Sequence, residues 1–305
     1  LPGWSITGLN DLLTHIEKNP DAYGKAERIF LLLDFQDFLT SAPATPNVTP
    51  KDWLRPSPSD LAARFLSLSA LSDSLATIVG QHARFSETMT ETGFHPWGEA
   101  AATIKSAGQF VLFSQKMAST VATHRGLPRS IQKPGGGYTA PMAAFWQFLN
   151  RTRETRQPLV VAIPPYHADY LDLLDRMGFW PAFEDWKRWL SQQVDAARRA
   201  GAPVVLWDFA GFNPWTTEQV PEPGQRGVSM RWYFEPSHFT PALGDLMIGY
   251  ALEAAPEATT TDLGNRLLPE TVEDHLDAIR LARSAYHLDH PEAKARLDRY
   301  CGSAC

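Results

Sequence analysis

The sequence predicts an α/β domain built on a parallel β-sheet. Three short segments are apolar without alternation, which is typical of strands that are buried on both faces. These segments are Arg28 to Asp34, Leu159 to Ile163 and Val204 to Asp208. Helical patterns lie between them, and the alternation of strand and helix favours a parallel sheet with helices on both faces. Since ligands bind beyond the carboxyl ends of such strands, we expect the site in the loops that follow these three segments.

The helices are predicted from apolar residues that recur on one face. They are placed at Asn10 to Lys18, Leu61 to His82, Glu99 to Thr123, Met142 to Glu154, Tyr170 to Met177, Trp186 to Ala197, Leu243 to Tyr250, Val272 to Ser284 and Pro291 to Arg299. The helices between residues 61 and 123 exceed what a crossover needs. We therefore interpret residues 41–140 as a helical insertion that begins with a Pro-rich loop at 41–58. It lies within an α/β domain over 1–253, and a helical C-terminal extension covers 254–305.

Composition excludes several classes of protein. The chain has 305 residues and a net charge of −6, and its 28 Lys and Arg are scattered, which argues against a nucleic-acid partner or a polybasic membrane surface. No apolar run reaches the roughly 18 residues of a membrane-spanning helix. The 24 prolines and 10 tryptophans suit a loop-rich surface that binds sugars, and they also suit a well-filled core.

The most informative segment runs from Met230 to Tyr250. It contains Glu235-Pro236-Ser237-His238 on a turn that precedes a helix. A carboxylate three residues before an imidazole can accept a hydrogen bond from one ring nitrogen and leave the other nitrogen free as a base. The alternative is a histidine that caps the helix beside a surface glutamate.

Polar residues at the ends of the predicted strands are further candidates. Tyr166 and His167 follow the second strand, where His167 can donate to a substrate or an oxyanion, or cap the next helix. Trp207 and Asp208 end the third strand and Asn213 follows it. These residues suit recognition of hydroxyl groups, or form a loop held by its own Asx turns. Asp34 and Asp37 occupy the equivalent place after the first strand.

Other motifs give weaker signals. The run Gly135-Gly136-Gly137 lacks the Lys that follows a phosphate-binding loop, and neither a GxSxG elbow nor an HExxH motif is present. His287 and His290 form a weak metal pair or a solvated helix end. Cys301 and Cys305 form a small disulfide loop or remain free thiols. We therefore predict neither a metal nor an organic cofactor.

These motifs together resemble the SGNH hydrolase-like superfamily, in particular its extracytoplasmic branch of alginate O-acetylation and D-alanyl-lipoteichoic acid transfer proteins. Glu235 to His238 is similar to the late D-x-x-H block of that family, and Thr240 and Gly244 match the T-x-x-x-G that follows it. The N-terminal Leu1-Pro2-Gly3-Trp4-Ser5 is similar to the second block, and Pro164 to His167 is similar to a loop after the fourth strand. The resemblance implies a flavodoxin-like sheet, and the length of the helices between residues 61 and 123 predicts that they form a helical cap.

The sequence departs from the family pattern in two ways. The acid of the late block is Glu235 instead of aspartate, and the block that carries the nucleophilic serine is not visible. The resemblance therefore implies a serine upstream of this chain. Ser5 and Ser237 are substitutes by position only.

The resemblance implies an extracytoplasmic esterase or O-acyltransferase that acts on a polysaccharide. His238 would be the general base and Glu235 would orient it. The amide of Gly3, with His167, would stabilise the oxyanion. Sugar contacts are expected from Trp207, Asp208, Asn213 and Trp232. We expect a periplasmic or otherwise extracytoplasmic location, an N-terminal membrane anchor before this chain and a membrane acyl-donor protein as partner.

Two other functions stay open. One is an inactive SGNH-like glycan-binding or scaffold protein of a polysaccharide export system. The other is a glycoside hydrolase that pairs Glu235 with Asp208 or Asp34, which requires two acids about 5–9.5 Å apart across a cleft.

Overall fold

A four-stranded sheet organises the computed structural model, which describes residues 6–18, 27–39, 97–132, 137–253 and 263–301. The strand order is β1-β2-β3-β6, and a separate hairpin pairs β4 with β5. The strands are β1 (Ile29–Leu32), β2 (Leu159–Ile163), β3 (Val204–Asp208), β4 (Tyr233–Glu235), β5 (His238–Phe239) and β6 (Asn265–Arg266). The helices are α1 (Ile6–Lys18), α2 (Gly98–Ser106), α3 (Gln109–His124), α4 (Ala140–Thr155), α5 (Ala168–Arg176), α6 (Trp180–Arg199), α7 (Pro241–Glu253), α8 (Val272–Asp289) and α9 (Glu292–Cys301), with a 3-10 turn at Phe35–Phe38.

The three predicted strands form the parallel part of this sheet. β1 pairs with β2, and β2 pairs with β3, with Ile163 opposite Asp208 at the carboxyl end. Every residue of β2 is buried, as its unbroken apolar run predicts. The α/β class with a mostly parallel sheet is therefore confirmed.

The antiparallel strand β6 was not predicted, because Asn265 and Arg266 are polar and give no strand pattern. These two residues pair with Asp208 and Trp207 of β3. The region after residue 253, which the sequence assigns to a helical extension, thus contributes a strand to the main sheet.

The predicted helix over Glu99 to Thr123 is two helices, and Gly108 lies at the break between α2 and α3. Its φ of 93° is in the left-handed region, and a Cβ there would lie 2.5 Å from the carbonyl oxygen of Gln225. Glycine thus permits both the turn and the close approach of the 225 backbone. The predicted helix at 61–82 and the loop at 41–58 lie outside the described residues.

The C-terminal helices are held on the domain by buried ion pairs as well as by apolar contacts. Arg296 of α9 donates two hydrogen bonds of 2.7 Å to the carboxylate of Asp169 at the start of α5. Arg283 of α8 donates to Asp172 at 2.9 Å. Paired arginine forks of this kind fix geometry as well as charge.

Candidate functional site

Glu235 and His238 face each other across the β4–β5 hairpin. The strand register places the two residues opposite one another, with Pro236 and Ser237 between them. Nδ1 of His238 is hydrogen-bonded to Oε1 of Glu235. The two side chains are therefore in contact, as their three-residue spacing predicts.

The two partners differ in exposure and charge. The Glu235 side chain is 9% exposed, whereas that of His238 is 48% exposed. Burial would raise the pKa of Glu235, but the hydrogen bond and charge of His238, with smaller effects from Lys116 and Ser237, hold that pKa below its usual value. An ionised Glu235 keeps the ring proton on Nδ1, so that Nε2 is left as a proton acceptor.

Ser237 lies on the acid side of this pair. Its hydroxyl donates to Oε1 of Glu235 at 2.9 Å and lies 3.3 Å from Nδ1 of His238. Ser237 therefore orients Glu235. Its hydroxyl is not placed where Nε2 of His238 could deprotonate it as a nucleophile. Within the described residues, no hydroxyl is hydrogen-bonded to Nε2.

The hairpin is fixed to the loop that follows β2. The hydroxyl of Tyr233 donates to the carbonyl of Pro165 at 2.6 Å, and the amide of His167 donates to the carbonyl of Pro236 at 3.0 Å. The Glu235–His238 pair therefore lies at the carboxyl end of the parallel sheet, where α/β domains bind their ligands.

A second clamp comes from Gln109, a fully buried residue at the start of α3. Its side-chain amide donates to the carbonyl of Tyr233 at 2.6 Å and accepts from the amide of Met230 at 2.6 Å. Gln109 thus ties the α2–α3 helix pair to β4, and nothing in the sequence pattern predicts this role.

His167 serves as a helix cap. Its Nδ1 accepts from the amide of Asp169 at 3.1 Å, and its Nε2 lies 2.8 Å from the carbonyl oxygen of Glu218. Both ring nitrogens are engaged and the residue is fully buried, which corresponds to the capping alternative. His167 therefore has no free ring nitrogen with which to stabilise an oxyanion, as its predicted role requires.

Tyr166 is a buried link to the loop after β1. Its hydroxyl donates to Oδ1 of Asp34 at 2.9 Å and accepts from the amide of Phe35 at 3.2 Å. Its ring stacks on Tyr170 with centroids 5.0 Å apart. Burial, with the charges of Asp34 and then Glu235, raises the pKa of Tyr170. Tyr166 therefore connects the loop after β1 with Tyr170 on α5.

Asp37 is a second carboxyl in the loop after β1. Burial, followed by the charge of Asp34, raises the pKa of Asp37 to about 7. This carboxyl therefore changes its charge near neutral pH, which the sequence alone does not indicate.

Three of the four predicted sugar contacts have other partners. Trp207 is 2% exposed and stacks on Phe209, so its ring face is not available to a sugar. Oδ1 of Asn213 accepts from two backbone amides in an Asx turn, and its Nδ2 donates to the carbonyl of Leu263. Asp208 is buried and paired with Lys187 and His275, as described below. These positions correspond to the structural alternatives.

Trp232 keeps part of its surface exposed. The guanidinium of Arg231 lies 4.4 Å from its ring centroid, and its amide donates to Glu218 at 2.8 Å. Of the two predicted sugar contacts that are tryptophans, Trp207 is buried and Trp232 is partly exposed.

Asp208 belongs to a buried cluster that the sequence analysis missed. Its Oδ2 lies 2.7 Å from Nζ of Lys187 and 2.8 Å from Nε2 of His275. Lys187 is buried on α6 among Phe183, Trp186 and Leu190. A lysine within an apolar helical stripe is the signal that could have revealed this ion pair. Asp208 is enclosed and its Oδ2 is bound by two protein side chains, so the structure gives no support to Asp208 as the second acid of a glycosidase pair.

Several predicted positions lie outside the described residues or have ordinary partners. Gly3 and Ser5 lie outside, as does Cys305. His287 pairs with Asp172 at 2.8 Å, and His290 pairs with Glu292 at 3.0 Å. Within the described ranges, no three acidic, histidine or cysteine residues are grouped as metal ligands.

Comparison with known proteins gave no assignment: no protein-family model, curated protein or solved structure matches this chain. In the part of the chain that the structure describes, no helix has the length and apolarity that a bilayer crossing requires. The proposed function therefore rests on the α/β fold and on the geometry of the site.

Proposed function

We propose that this protein is an esterase or O-acyltransferase of the SGNH type, acting on a polysaccharide or glycan outside the cytoplasm. The observation that carries the proposal is the Glu235–His238 pair, because a buried acid orients a half-exposed imidazole at the ligand end of a parallel sheet. The mostly parallel strand order is compatible with the flavodoxin-like arrangement that this family resemblance implies.

The proposed chemistry assigns one role to each member of the pair. Nε2 of His238 takes the proton of a serine hydroxyl as its oxygen attacks the acyl carbonyl, and the imidazolium then gives that proton to the departing alcohol. Glu235 accepts from Nδ1 throughout and stabilises the imidazolium. The nucleophilic serine is proposed to lie outside the described residues. A membrane acyl-donor protein is the proposed partner if the reaction is a transfer.

A second candidate is a glycan-binding or scaffold protein that has lost catalysis. It is favoured by one observation: within the described residues, the only hydroxyl that is hydrogen-bonded to the His238 ring is that of Ser237, and it lies at Nδ1. The two candidates differ in whether Nε2 meets a nucleophile in the full-length protein.

Hydrolysis of 4-nitrophenyl acetate and of an acetylated polysaccharide by the full-length protein tests the proposal. We expect turnover that falls by about three orders of magnitude or more in His238→Ala. The matched control is His290→Ala, which removes an exposed imidazole at the end of α8 and is expected to leave the rate unchanged. Equal rates in the wild type and His238→Ala would remove this histidine from the mechanism.

A serine-directed fluorophosphonate followed by mass mapping separates the two candidates. The esterase proposal predicts one labelled serine, with labelling that is lost in His238→Ala. If no serine reacts in the folded wild type, the binding or scaffold function replaces the enzymatic one.

A further inference from the structure

The indole ring of Trp97 packs against the imidazole of His238, the candidate base. Its ring centroid lies 4.8 Å from that of His238, with the two planes tilted by 48°. Its ring also stacks almost parallel on Phe234 of β4, at 5.2 Å and 15°. One indole therefore contacts two residues of the hairpin that carries the Glu235–His238 pair.

The backbone of Trp97 is in an unusual conformation. Its φ of 52° and ψ of 37° are in the left-handed region, directly before α2 begins at Gly98. A bulky residue in this region costs about 1–2 kcal/mol relative to the right-handed form. Such a conformation persists only where the surroundings enforce it, and it is enriched at functional sites.

The hydrogen bond that Nδ1 of His238 donates to Glu235 does not by itself fix the imidazole. It holds one atom, Nδ1, while the ring can still tilt about that contact, and the side chain of His238 is 48% exposed. A second contact with the ring is needed to set the direction in which Nε2 points. Trp97 supplies this contact from a different element of the chain.

We propose that Trp97 is a positioning residue for His238, which fixes the plane of the imidazole and thereby keeps Nδ1 on Glu235 and sets the direction of Nε2. This inference rests on the proposed function of the pair. The α2–α3 unit then supports the hairpin at two points, with Trp97 before α2 and Gln109 at the start of α3.

The test compares Trp97→Gly with Trp97→Phe. Glycine adopts the left-handed backbone readily and removes the ring, whereas phenylalanine keeps an aromatic face. Trp97→Asn is a second ring-free variant that tolerates this backbone if the glycine variant unfolds. Trp146→Phe is the matched control, because its ring is 53% exposed on α4.

The first readout is the tautomer of His238, measured by 15N NMR on the imidazole, which requires no catalytic activity. We expect the Nδ1–H tautomer alone in the wild type, Trp97→Phe and Trp146→Phe. In Trp97→Gly we expect a mixture of tautomers, because without the indole the imidazole leaves Glu235 for part of the time. The same single tautomer in the glycine and asparagine variants would overturn the positioning role.

The second readout is the kinetic split on 4-nitrophenyl acetate. A misplaced base is expected to lower kcat on the order of 10- to 100-fold in Trp97→Gly, with KM little changed. A rise in KM at constant kcat would overturn the inference, because it would make Trp97 a substrate-binding wall. If the wild type hydrolyses no ester, the proposed function fails, and the tautomer measurement still decides the role of Trp97.

Discussion

The carboxyl of Asp37 should make the stability of this protein fall as pH rises toward neutrality. Burial and the neighbouring Asp34 raise its folded-state pKa to about 7, against 3.8 for the unperturbed side chain. Between these two values the folded protein binds more protons at this site than the unfolded chain does. Stability from this group is therefore highest near pH 4, decreases through the window from about 4 to 7, and is lowest above pH 7.

The pKa difference of about 3 corresponds to roughly 4 kcal/mol of unfolding free energy. Asp37→Asn removes the charge and keeps the shape, so the variant should be more stable than the wild type at pH 8 by as much as about 4 kcal/mol. At pH 4 the difference should nearly vanish. Urea unfolding of both proteins at pH 4, 6 and 8 measures the effect.

Asp245→Asn is the control for Asp37, because Asp245 is an exposed carboxylate on α7. Its substitution should change the unfolding free energy by no more than about 0.5 kcal/mol at each pH. If the unfolding free energies of Asp37→Asn and the wild type differ by the same amount at pH 4 and pH 8, the inference that the pKa of Asp37 is raised in the folded state is refuted.

Two further substitutions test the packing that supports the site. Lys187→Met leaves the buried carboxylate of Asp208 without its ammonium partner 2.7 Å away, and should cost about 3–5 kcal/mol in urea unfolding at pH 7; a loss under 1 kcal/mol would show that the pair is not buried. Gly108→Ala places a Cβ 2.5 Å from the carbonyl oxygen of Gln225 on a left-handed backbone, and should lower the free energy of unfolding by about 2–4 kcal/mol. The control is Gly126→Ala, whose Cβ meets no atom within 4 Å and should be tolerated. Equal thermal midpoints for the two alanine variants would contradict the assigned clash.

The parallel sheet could be predicted from the sequence because its strands are short, unbroken apolar runs. The segments Leu159–Ile163 and Val204–Asp208 are strands with the predicted bounds. The Glu235–His238 contact follows from local spacing on a turn, so it too is accessible to sequence reasoning. Features of this kind depend on residues that are neighbours in the chain.

The remaining features depend on residues far apart in sequence. Trp97 contacts His238 across about 140 positions, and no pattern around residue 97 announces that contact. The capping of α5 by His167 and the enclosure of Asp208 depend on which partners the fold brings to the strand ends. A polar residue after a buried strand is compatible with both a site and a structural role, and only tertiary contacts decide between them.

A double-mutant cycle in acetyl ester hydrolysis tests the central claim most directly. The rates of Glu235→Gln, His238→Gln and the double variant are compared with the wild type in the full-length protein, after each variant is shown to be folded. If Glu235 acts through His238, each single variant loses rate, and the double variant is no slower than His238→Gln alone. Losses that simply add, or a Glu235→Gln variant as fast as the wild type, would contradict the account.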